Sequence, residues 1–364
     1  MQINVKFNKK TTSKIFINQN SVPNLGNIIK ANLSTDKIVI ITNPKIKKLY
    51  GKIVFDSLVK ENYPVFFIEI PEGEKHKNLK TINYILDQMF ELKLTRSATV
   101  LALGGGVIGD MAGFTAAIFM RGINLIQVPT TLLSMVDSSL GGKTGVNHTK
   151  GKNLIGSFYQ PQITFIDPQF LLSLPQKEIR SGLAEIVKYA FIMDLPLYHY
   201  LSKNQKLIYK NKKYSQQLKV WLKLIKASVK DKTNVVQKDE CEQGLRAILN
   251  FGHTIGHAIE VAFNYTGYTH GEAVAIGIKA SFLIAAKMNL ITTEYFNNAN
   301  ELLKNLGFNL TLKTCELEKI MQHLFSDKKI KANKLRFVLP CGNSNVEIRN
   351  DVPLELIREV LTLL

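Results

Sequence analysis

The sequence is poor in cysteine. Its 364 residues include only Cys241, Cys315 and Cys341, and no two of them form a CxxC pair. An odd and scattered set argues against a disulfide framework and against a structural zinc knuckle, because both need paired cysteines. We therefore expect a protein of the reducing cytoplasm.

The sequence also lacks an apolar run that suits a membrane span. Residues 99–120 are apolar apart from Asp110, but five glycines interrupt them and the aspartate lies near their middle. A charge at that depth is costly, so we predict a buried strand, a tight turn and a buried helix there. Residues 1–16 mix lysines with apolar residues and show no run of the signal-peptide type. We expect no membrane partner.

Acidic residues are outnumbered: 47 lysines and arginines against 29 aspartates and glutamates give a net charge of +18. One group of lysines recurs at helical spacing, at Lys219, Lys223, Lys226 and Lys230. The solvated face of an amphipathic helix explains this group better than a nucleic-acid footprint, because no arginine-rich or aromatic–basic recognition element accompanies it. We expect no nucleic-acid partner, and the charge suits anionic small molecules.

Short, continuously apolar runs fill the first half of the chain and are typical of parallel strands buried on both faces. They lie at 37–42, 64–70, 99–103, 124–130 and 163–167. Beyond about Leu174 the pattern becomes helical, at 175–193, 214–230, 243–263, 271–288, 294–305 and 316–324, with one further strand at 335–340. This order predicts an N-terminal α/β, Rossmann-like domain over 1–173 and a mostly α-helical domain over 174–364. The active site is expected in the cleft between them.

Two glycine-rich segments indicate phosphate binding. Gly104, Gly106 and Gly109 match GxGxxG after a strand, where backbone N–H groups can approach a pyrophosphate at a helix N-terminus. No acidic residue follows between positions 111 and 136 to hold a ribose, so a tight turn that needs glycine is an equal alternative. Residues 134–158 combine glycines with cations and an amide, which suits a phosphate-binding loop or a solvated one.

Three of the seven histidines fall within eighteen residues: His253, His257 and His270. His253 and His257 share a helical face if the segment is helical, together with Arg246 and Asn250, and a turn near Gly267 can return His270 to the same pocket. A metal or proton-transfer site is favoured over three unrelated surface histidines.

Glu185 and Lys188 lie one helical turn apart among apolar residues, which predicts a buried pair. Glu185 suits the oxygen ligand of a catalytic zinc with histidine ligands and an open position. Spacing alone leaves open which two histidines complete the site, with the HxxxH pair His253 and His257 as the first choice. The glutamate of an HExxH protease is absent, which disfavours peptidase chemistry.

Seven stretches together resemble the 3-dehydroquinate synthase family of sugar-phosphate cyclases, in the order expected and between about residues 72 and 339. They are PEGEKHK, LGGGVIGDMAGF, VPTTLLSMVDSSLGGKTGVN, GKNLIGSF, SGLAEIVKYA, GLRAILNFGHTIGHAIE and HGEAVAIG. The resemblance implies a lyase of the shikimate pathway to aromatic amino acids, which converts the keto-acid phosphate DAHP into 3-dehydroquinate and phosphate. It further implies a cytoplasmic homodimer that uses NAD and a divalent metal, zinc or alternatively cobalt.

In that family NAD oxidises the C5 hydroxyl, phosphate is eliminated, the ketone is reduced back, the ring opens and an intramolecular aldol closes the carbocycle. The resemblance makes Glu185, His253 and His270 the metal ligands and gives His257 a proton-transfer role. Substrate positions are matched by Lys143, Asn153, Lys188, Lys232, Arg246 and Asn250, with Arg121 at the phosphate. Lys328 and Glu242 are further matches on the substrate side.

The NAD positions of the family are matched by Glu72, Gly73, Glu74, Lys75, His76, Lys77, Gly106, Val107, Ile108, Gly109, Asp110, Thr130, Thr131, Asp137, Lys143, Lys152, Phe170, Leu171, Leu172 and Ser173. The resemblance thus makes 1–173 the NAD-binding domain and 174–364 the metal- and substrate-binding domain. One departure is Asn43, followed by Pro44, where the family often has an aspartate that meets the adenosine ribose. We expect this change to weaken NAD binding.

Three alternatives remain open. A related sugar-phosphate cyclase, such as a 2-deoxy-scyllo-inosose synthase, would act on a substrate without a carboxylate, whereas Lys232, Arg246 and Asn250 favour a carboxylated one. A metal-dependent polyol dehydrogenase would release NADH. A basic nucleic-acid-binding protein would bind arbitrary DNA in a salt-sensitive way.

Overall fold

The computed structural model describes residues 1–7, 11–209, 214–312, 317–326 and 335–364. The strands are β1 Gln2–Phe7, β2 Thr11–Ile17, β3 Ile38–Thr42, β4 Val65–Glu69, β5 Thr99–Gly104, β6 Asn124–Pro129, β7 Lys143–His148, β8 Gly151–Phe158, β9 Ile163–Ile166, β10 Phe337–Gly342 and β11 Asn345–Arg349. The helices are α1 Leu25–Asn32, α2 Pro44–Ile46, α3 Lys52–Val59, α4 Leu79–Glu91, α5 Gly106–Ile118, α6 Gln176–Ile192, α7 Leu195–Ile208, α8 Tyr214–Lys238, α9 His253–Ala262, α10 His270–Lys287, α11 Thr293–Asn305, α12 Leu317–Ser326 and α13 Leu354–Thr362.

The chain divides into two compact units. The first unit comprises Met1–Leu174 with Trp221–Thr233, and the second unit comprises Pro175–Val220 with Asn234–Leu364. Within the described part of the chain, none of the helices has both the length and the apolar character needed to cross a membrane.

A seven-stranded sheet organises the first unit, in the order β1-β2-β9-β6-β5-β3-β4. All its pairings are parallel except that of β1 with β2. Every residue of β3 and β5 is buried, as expected for strands whose side chains meet packed layers on both faces. The predicted α/β fold is confirmed, and each of the five predicted strands is present.

The N-terminal hairpin of β1 and β2 was not predicted. Burial in β1 alternates along the strand, because one face packs on the unit while the other carries polar residues such as Lys6 toward solvent. This alternation is the period-two pattern of a half-buried edge strand, and Lys6 occupies one of its outward-facing positions.

The prediction of an irregular loop over 134–158 is wrong in its second part. Residues 143–158 form the antiparallel hairpin β7–β8, in which Gly145 pairs with Gly156. The glycines therefore lie inside paired strands, where composition had indicated a loop.

The second unit is built on α6, α9 and α10. Thirteen of the residues of α6 are buried, and α9 and α10 share an aliphatic core that includes Ile255, Ile259 and Ile276. The prediction of one helix over 243–263 is wrong in its first half. Residues 245–250 form a 3-10 turn, and Gly252 then adopts a left-handed conformation with φ of 77° that ends it before α9 begins. A second strand, β11, pairs with β10 and was also missed.

The lysine-rich helix α8 is amphipathic, as predicted. It exposes Lys219, Lys223 and Lys230 and buries Trp221 and Ile225. Cys241 and Cys341 carry free, exposed thiols, while Cys315 lies outside the described residues.

Candidate active site

Three ligand-type side chains converge in the second unit. Glu185 lies in α6, and His253 and His270 are the first residues of α9 and α10. Oε1 of Glu185 lies 3.3 Å from Nε2 of His253 and 3.4 Å from Nε2 of His270. This oxygen is fully buried and makes no hydrogen bond of good geometry with any described residue. A buried carboxylate oxygen that faces two ring nitrogens fits a divalent cation with an N₂O ligand set.

Nδ1 of each of the two histidine rings, on the side away from Glu185, has a polar partner. Nδ1 of His253 lies 3.0 Å from the carbonyl oxygen of Phe251, and Nδ1 of His270 lies 3.1 Å from Oε2 of Glu260. A carbonyl oxygen only accepts hydrogen bonds, so Nδ1 of His253 carries the hydrogen. Nε2 then presents its lone pair toward Glu185, as a metal ligand requires.

The charges around Glu185 keep it ionised. Burial by itself would raise the pKa of Glu185, but the ammonium of Lys188, bonded to its Oε2, and His253 hold that pKa well below its usual range. Burial lowers the pKa of His253, which favours the neutral imidazole. Burial by itself would lower the pKa of His270, but the carboxylates of Glu185 and Glu260, which face its two ring nitrogens, raise that pKa to about 10. A bound cation would displace that proton.

His257 lies beside this cluster. Its ring centroid is 5.2 Å from that of His253 and 6.2 Å from that of His270. The donor atoms of Glu185, His253 and His270 lie within 4.8 Å of one another, as do those of His257, Glu260 and His270. Neither group combines His253 with His257, so the arrangement does not favour the HxxxH pair as the first choice.

Close helix packing brings the ligands together. A Cβ atom on Gly277 of α10 would lie 1.9 Å from the carbonyl oxygen of Gly252, directly before His253. A Cβ atom on Gly271, next to His270, would lie 2.4 Å from Cα of Ser181 in α6. These glycines let α6, α9 and α10 approach one another. They were not predicted as site residues, although glycine inside a helical pattern is a signal of close packing.

Gly277→Ala is expected to destabilise the protein by about 3 kcal/mol or more, because the added methyl group meets backbone that has no free space to yield. Weaker zinc binding should accompany this loss, since α9 moves away from α10. Urea denaturation and a zinc titration measure the two effects. Ser281→Ala is the matched control, because it removes only a hydroxyl bonded to the Gly277 carbonyl at 2.9 Å. Equal stability of the Gly277→Ala variant and the wild type would contradict the packing account.

A turn organised by Asp239 holds the other predicted substrate residues of the second unit. Its carboxylate accepts hydrogen bonds from the backbone N–H groups of Gln243, Gly244 and Arg246. The buried Arg246 side chain donates from Nη1 to the Glu240 carbonyl at 2.5 Å. Nδ2 of Asn250 donates to Oε1 of Glu242 at 2.9 Å. The structure thus groups Arg246, Asn250 and Glu242, while Lys328 lies outside the described residues.

The N-terminus of α5 in the first unit is the predicted pyrophosphate position. The helix starts at Gly106 without a side-chain cap. Two buried hydroxyls, Thr130 Oγ1 and Ser138 Oγ, have no hydrogen-bond partner among the described residues. A Cβ atom on Gly106 would lie 3.0 Å from Ser138 Oγ. Uncapped amides and unpaired hydroxyls around a glycine form a cradle that fits an anionic group.

Lys77 is buried and joins distant parts of the first unit. Its Nζ lies 2.6 Å from Oδ2 of Asp110 and 2.5 Å from Oδ1 of Asn153. Burial raises the pKa of Asp110, although the Lys77 charge opposes this. Lys232 similarly donates to Oδ1 of Asp137 at 2.5 Å. Both contacts were unpredicted, although the residues themselves match NAD or substrate positions of the family that the sequence resembles.

The remaining predicted positions of the first unit differ in exposure. Phe170 and Leu171 are buried, and the Tyr50 hydroxyl donates to the Phe170 carbonyl at 3.1 Å. The exposed members include Glu72, Gly73, Lys75, Arg121, Lys143 and Asn153, while Glu74, His76, Val107, Thr131, Lys152 and Leu172 are half-buried. Asn43 caps α2, because its Oδ1 accepts the Ile46 N–H at 2.9 Å.

Comparison with known proteins places these features in context. Residues 67–181 match the family model described as 3-dehydroquinate synthase N-terminal, and residues 182–330 match the one described as 3-dehydroquinate synthase C-terminal. A 3-dehydroquinate synthase of Rippkaea orientalis is 46% identical over 352 residues, which cover 96% of this chain and 95% of the relative. That of Crocosphaera subtropica is 45% identical over 353 residues, covering 97% and 96%.

Solved structures of related cyclases are also similar. A 2-epi-5-epi-valiolone synthase of Streptomyces hygroscopicus with NAD⁺ and Zn²⁺ bound gives a TM-score of 0.88 at 27% identity, covering 99% of this chain and 98% of that one. A 2-deoxy-scyllo-inosose synthase complexed with carbaglucose-6-phosphate, NAD⁺ and Co²⁺ gives 0.85 at 27% identity, covering 99% of both.

Proposed function

The chain belongs to the 3-dehydroquinate synthase family, and we propose that it converts DAHP into 3-dehydroquinate and phosphate with catalytic NAD and a divalent metal. The observation that carries this proposal is the convergence of Glu185, His253 and His270 within a chain that matches the family over residues 67–330. In this proposal the domain 1–173 binds NAD, and the domain 174–364 binds the metal and the substrate.

Glu185, His253 and His270 would hold the metal. One carboxylate and two imidazoles suit zinc, and cobalt accepts the same ligands. When bound, the metal supplies a Lewis acid that orients and polarises hydroxyl and carbonyl oxygens of the substrate. Lys188 donates a hydrogen bond to Oε2, the second oxygen of the Glu185 carboxylate. Its ammonium group also adds positive charge where the substrate would bind.

The N-terminus of α5 and the neighbouring hydroxyls would hold the pyrophosphate of NAD. When bound, NAD takes a hydride from the substrate and returns it within one turnover. Lys77, Asp110 and Asn153 form a connected polar group beside it. Asn43 uses its Oδ1 to cap α2, and it carries no charge to attract a ribose hydroxyl, so NAD binding is weaker than with an aspartate.

The cations of the chain suit a substrate that carries a carboxylate and a phosphate. The planar fork of Arg246, fixed by the Glu240 carbonyl, is well shaped for a carboxylate. Lys143, Lys232 and Arg121 supply further positive charge, with Arg121 at the phosphate. His257 accepts or donates a proton at a ring nitrogen, beside but outside the metal ligand set.

We further propose a homodimer in the cytoplasm.

Parallel assays with DAHP and with glucose 6-phosphate test the substrate. The purified protein, loaded with zinc and NAD, is expected to release phosphate from DAHP and not from glucose 6-phosphate. Glucose 6-phosphate has no carboxylate for Arg246 to bind. Release from glucose 6-phosphate without release from DAHP would instead identify a related cyclase. Accumulation of NADH with a polyol would indicate a dehydrogenase.

A further inference from the structure

Glu260 makes a contact that reaches the candidate metal site through another residue. Its Oε2 lies 3.1 Å from Nδ1 of His270, and the opposite ring nitrogen, Nε2, lies 3.4 Å from Glu185 Oε1. The Glu260 side chain is only 7% exposed, so water competes little for this contact. An imidazole that is held at Nδ1 has both its orientation and its tautomer fixed at Nε2.

The two ring ligands differ in how they are held. His253 is fixed by the backbone carbonyl of Phe251, which the fold supplies whatever the side chains are. His270 is held at Nδ1 by a side chain, and it is more exposed, at 28% against 11% for His253. The position of the His270 ring therefore depends more on one neighbouring residue than that of His253 does.

Glu260 is suitably placed for this task. It lies in α9 three residues after His257 and seven after His253, so all three occupy one helical face. The start of α10 is fixed separately, by a capping box in which Thr269 and Glu272 bond each other's backbone. Two different carboxylates are therefore involved: Glu272 caps the start of α10, and Glu260 contacts the His270 ring.

We propose that Glu260 is a positioning residue for His270, which orients Nε2 of that ring toward the metal. This inference rests on the proposed metal site. His257 belongs to the same surroundings, because its donor atom lies within 4.8 Å of those of Glu260 and His270. The rival interpretation is a second cation bound by those three residues, and metal stoichiometry separates the two.

Zinc affinity of the full-length protein, measured by competition with a chelator, tests the proposal. Glu260→Ala is expected to bind one zinc per chain about 10- to 100-fold more weakly than the wild type. Glu260→Gln retains an oxygen that accepts the Nδ1 hydrogen, so it should recover most of the affinity. The visible absorption of the Co²⁺-loaded proteins should change in the alanine variant and return toward that of the wild type in the glutamine variant.

Glu272→Ala is the matched control, because it removes the carboxylate of the capping box two residues beyond His270. It should lower the melting temperature and leave zinc affinity within about threefold, since the ring contact persists. If Glu260→Ala does not fold, judged by circular dichroism without metal, then Glu260→Gln with unchanged Co²⁺ absorption still supports the oxygen contact, and a changed spectrum opposes it.

Two outcomes would overturn the proposal about Glu260 and leave the proposed function intact. One is a Glu260→Ala variant that binds zinc within twofold of the wild type. The other is a wild type that binds two metals per chain and a variant that binds one. A wild-type protein that binds no metal would instead refute the metal site of the proposed function.

Discussion

His270→Ala is expected to lose its bound metal, while His257→Ala is expected to keep it. Zinc affinity of the first variant should fall by more than about a hundredfold, because even residues that merely orient a ligand are worth that much. His270 faces Glu185 Oε1 through Nε2, and its removal leaves two ligands. The second variant should bind zinc normally and turn over DAHP about 10²- to 10⁴-fold more slowly, the usual cost of a lost proton-transfer group.

Metal content after dialysis and initial rates of phosphate release separate these two effects. His199→Ala is the control, because this histidine is exposed on α7 and should leave both quantities unchanged. Equal metal loss in the His257 and His270 variants would restore the HxxxH pair as the metal site.

Glu185→Gln is expected to lose metal binding and to destabilise the metal-free protein by roughly 3–5 kcal/mol. Lys188 and Glu185 are both buried and bonded to each other. The substitution leaves an ammonium group in the interior without its counter-charge, and the cost of burying an unpaired charge is large. Urea denaturation of the metal-free proteins measures this cost.

The double variant Glu185→Gln with Lys188→Met removes the stranded charge and should recover most of the lost stability without recovering zinc. Asp56→Asn is a suitable control, because its exposed pair with Lys52 contributes less than about 0.5 kcal/mol. A single variant as stable as the wild type, or a double variant less stable than the single one, would contradict a buried, charge-balanced pair.

The sequence predicted most of the first unit because its strands are continuously apolar. The runs at 37–42 and 99–103 need no context to be recognised, whereas the alternating pattern of β1 is short, at six residues, and was missed. Glycine content led to the wrong prediction of a loop for residues 143–158, because glycine is common in loops and also occurs where two strands pair closely. The break at Gly252 depends on a left-handed backbone conformation within a helical pattern, and periodicity does not reveal it.

The candidate site was partly predictable for a related reason. The histidine cluster is local in sequence and was visible, and the apolar surroundings of Glu185 singled out that carboxylate. The family resemblance then decided which two histidines join it. Contacts between distant residues were not visible, such as that of Lys77 with Asp110, 33 positions away. Glu260 carries no sequence signal that distinguishes it from a surface glutamate, and only its distance to His270 reveals it.

Redox-neutral turnover tests the proposed function most directly. The purified protein is loaded with zinc and supplied with DAHP and with NAD at roughly one hundredth of the substrate concentration. Phosphate and 3-dehydroquinate should form in equal amounts until DAHP is consumed, with no accumulation of NADH. Absence of phosphate release, or phosphate formation that stops at the amount of NAD while NADH accumulates, would contradict it.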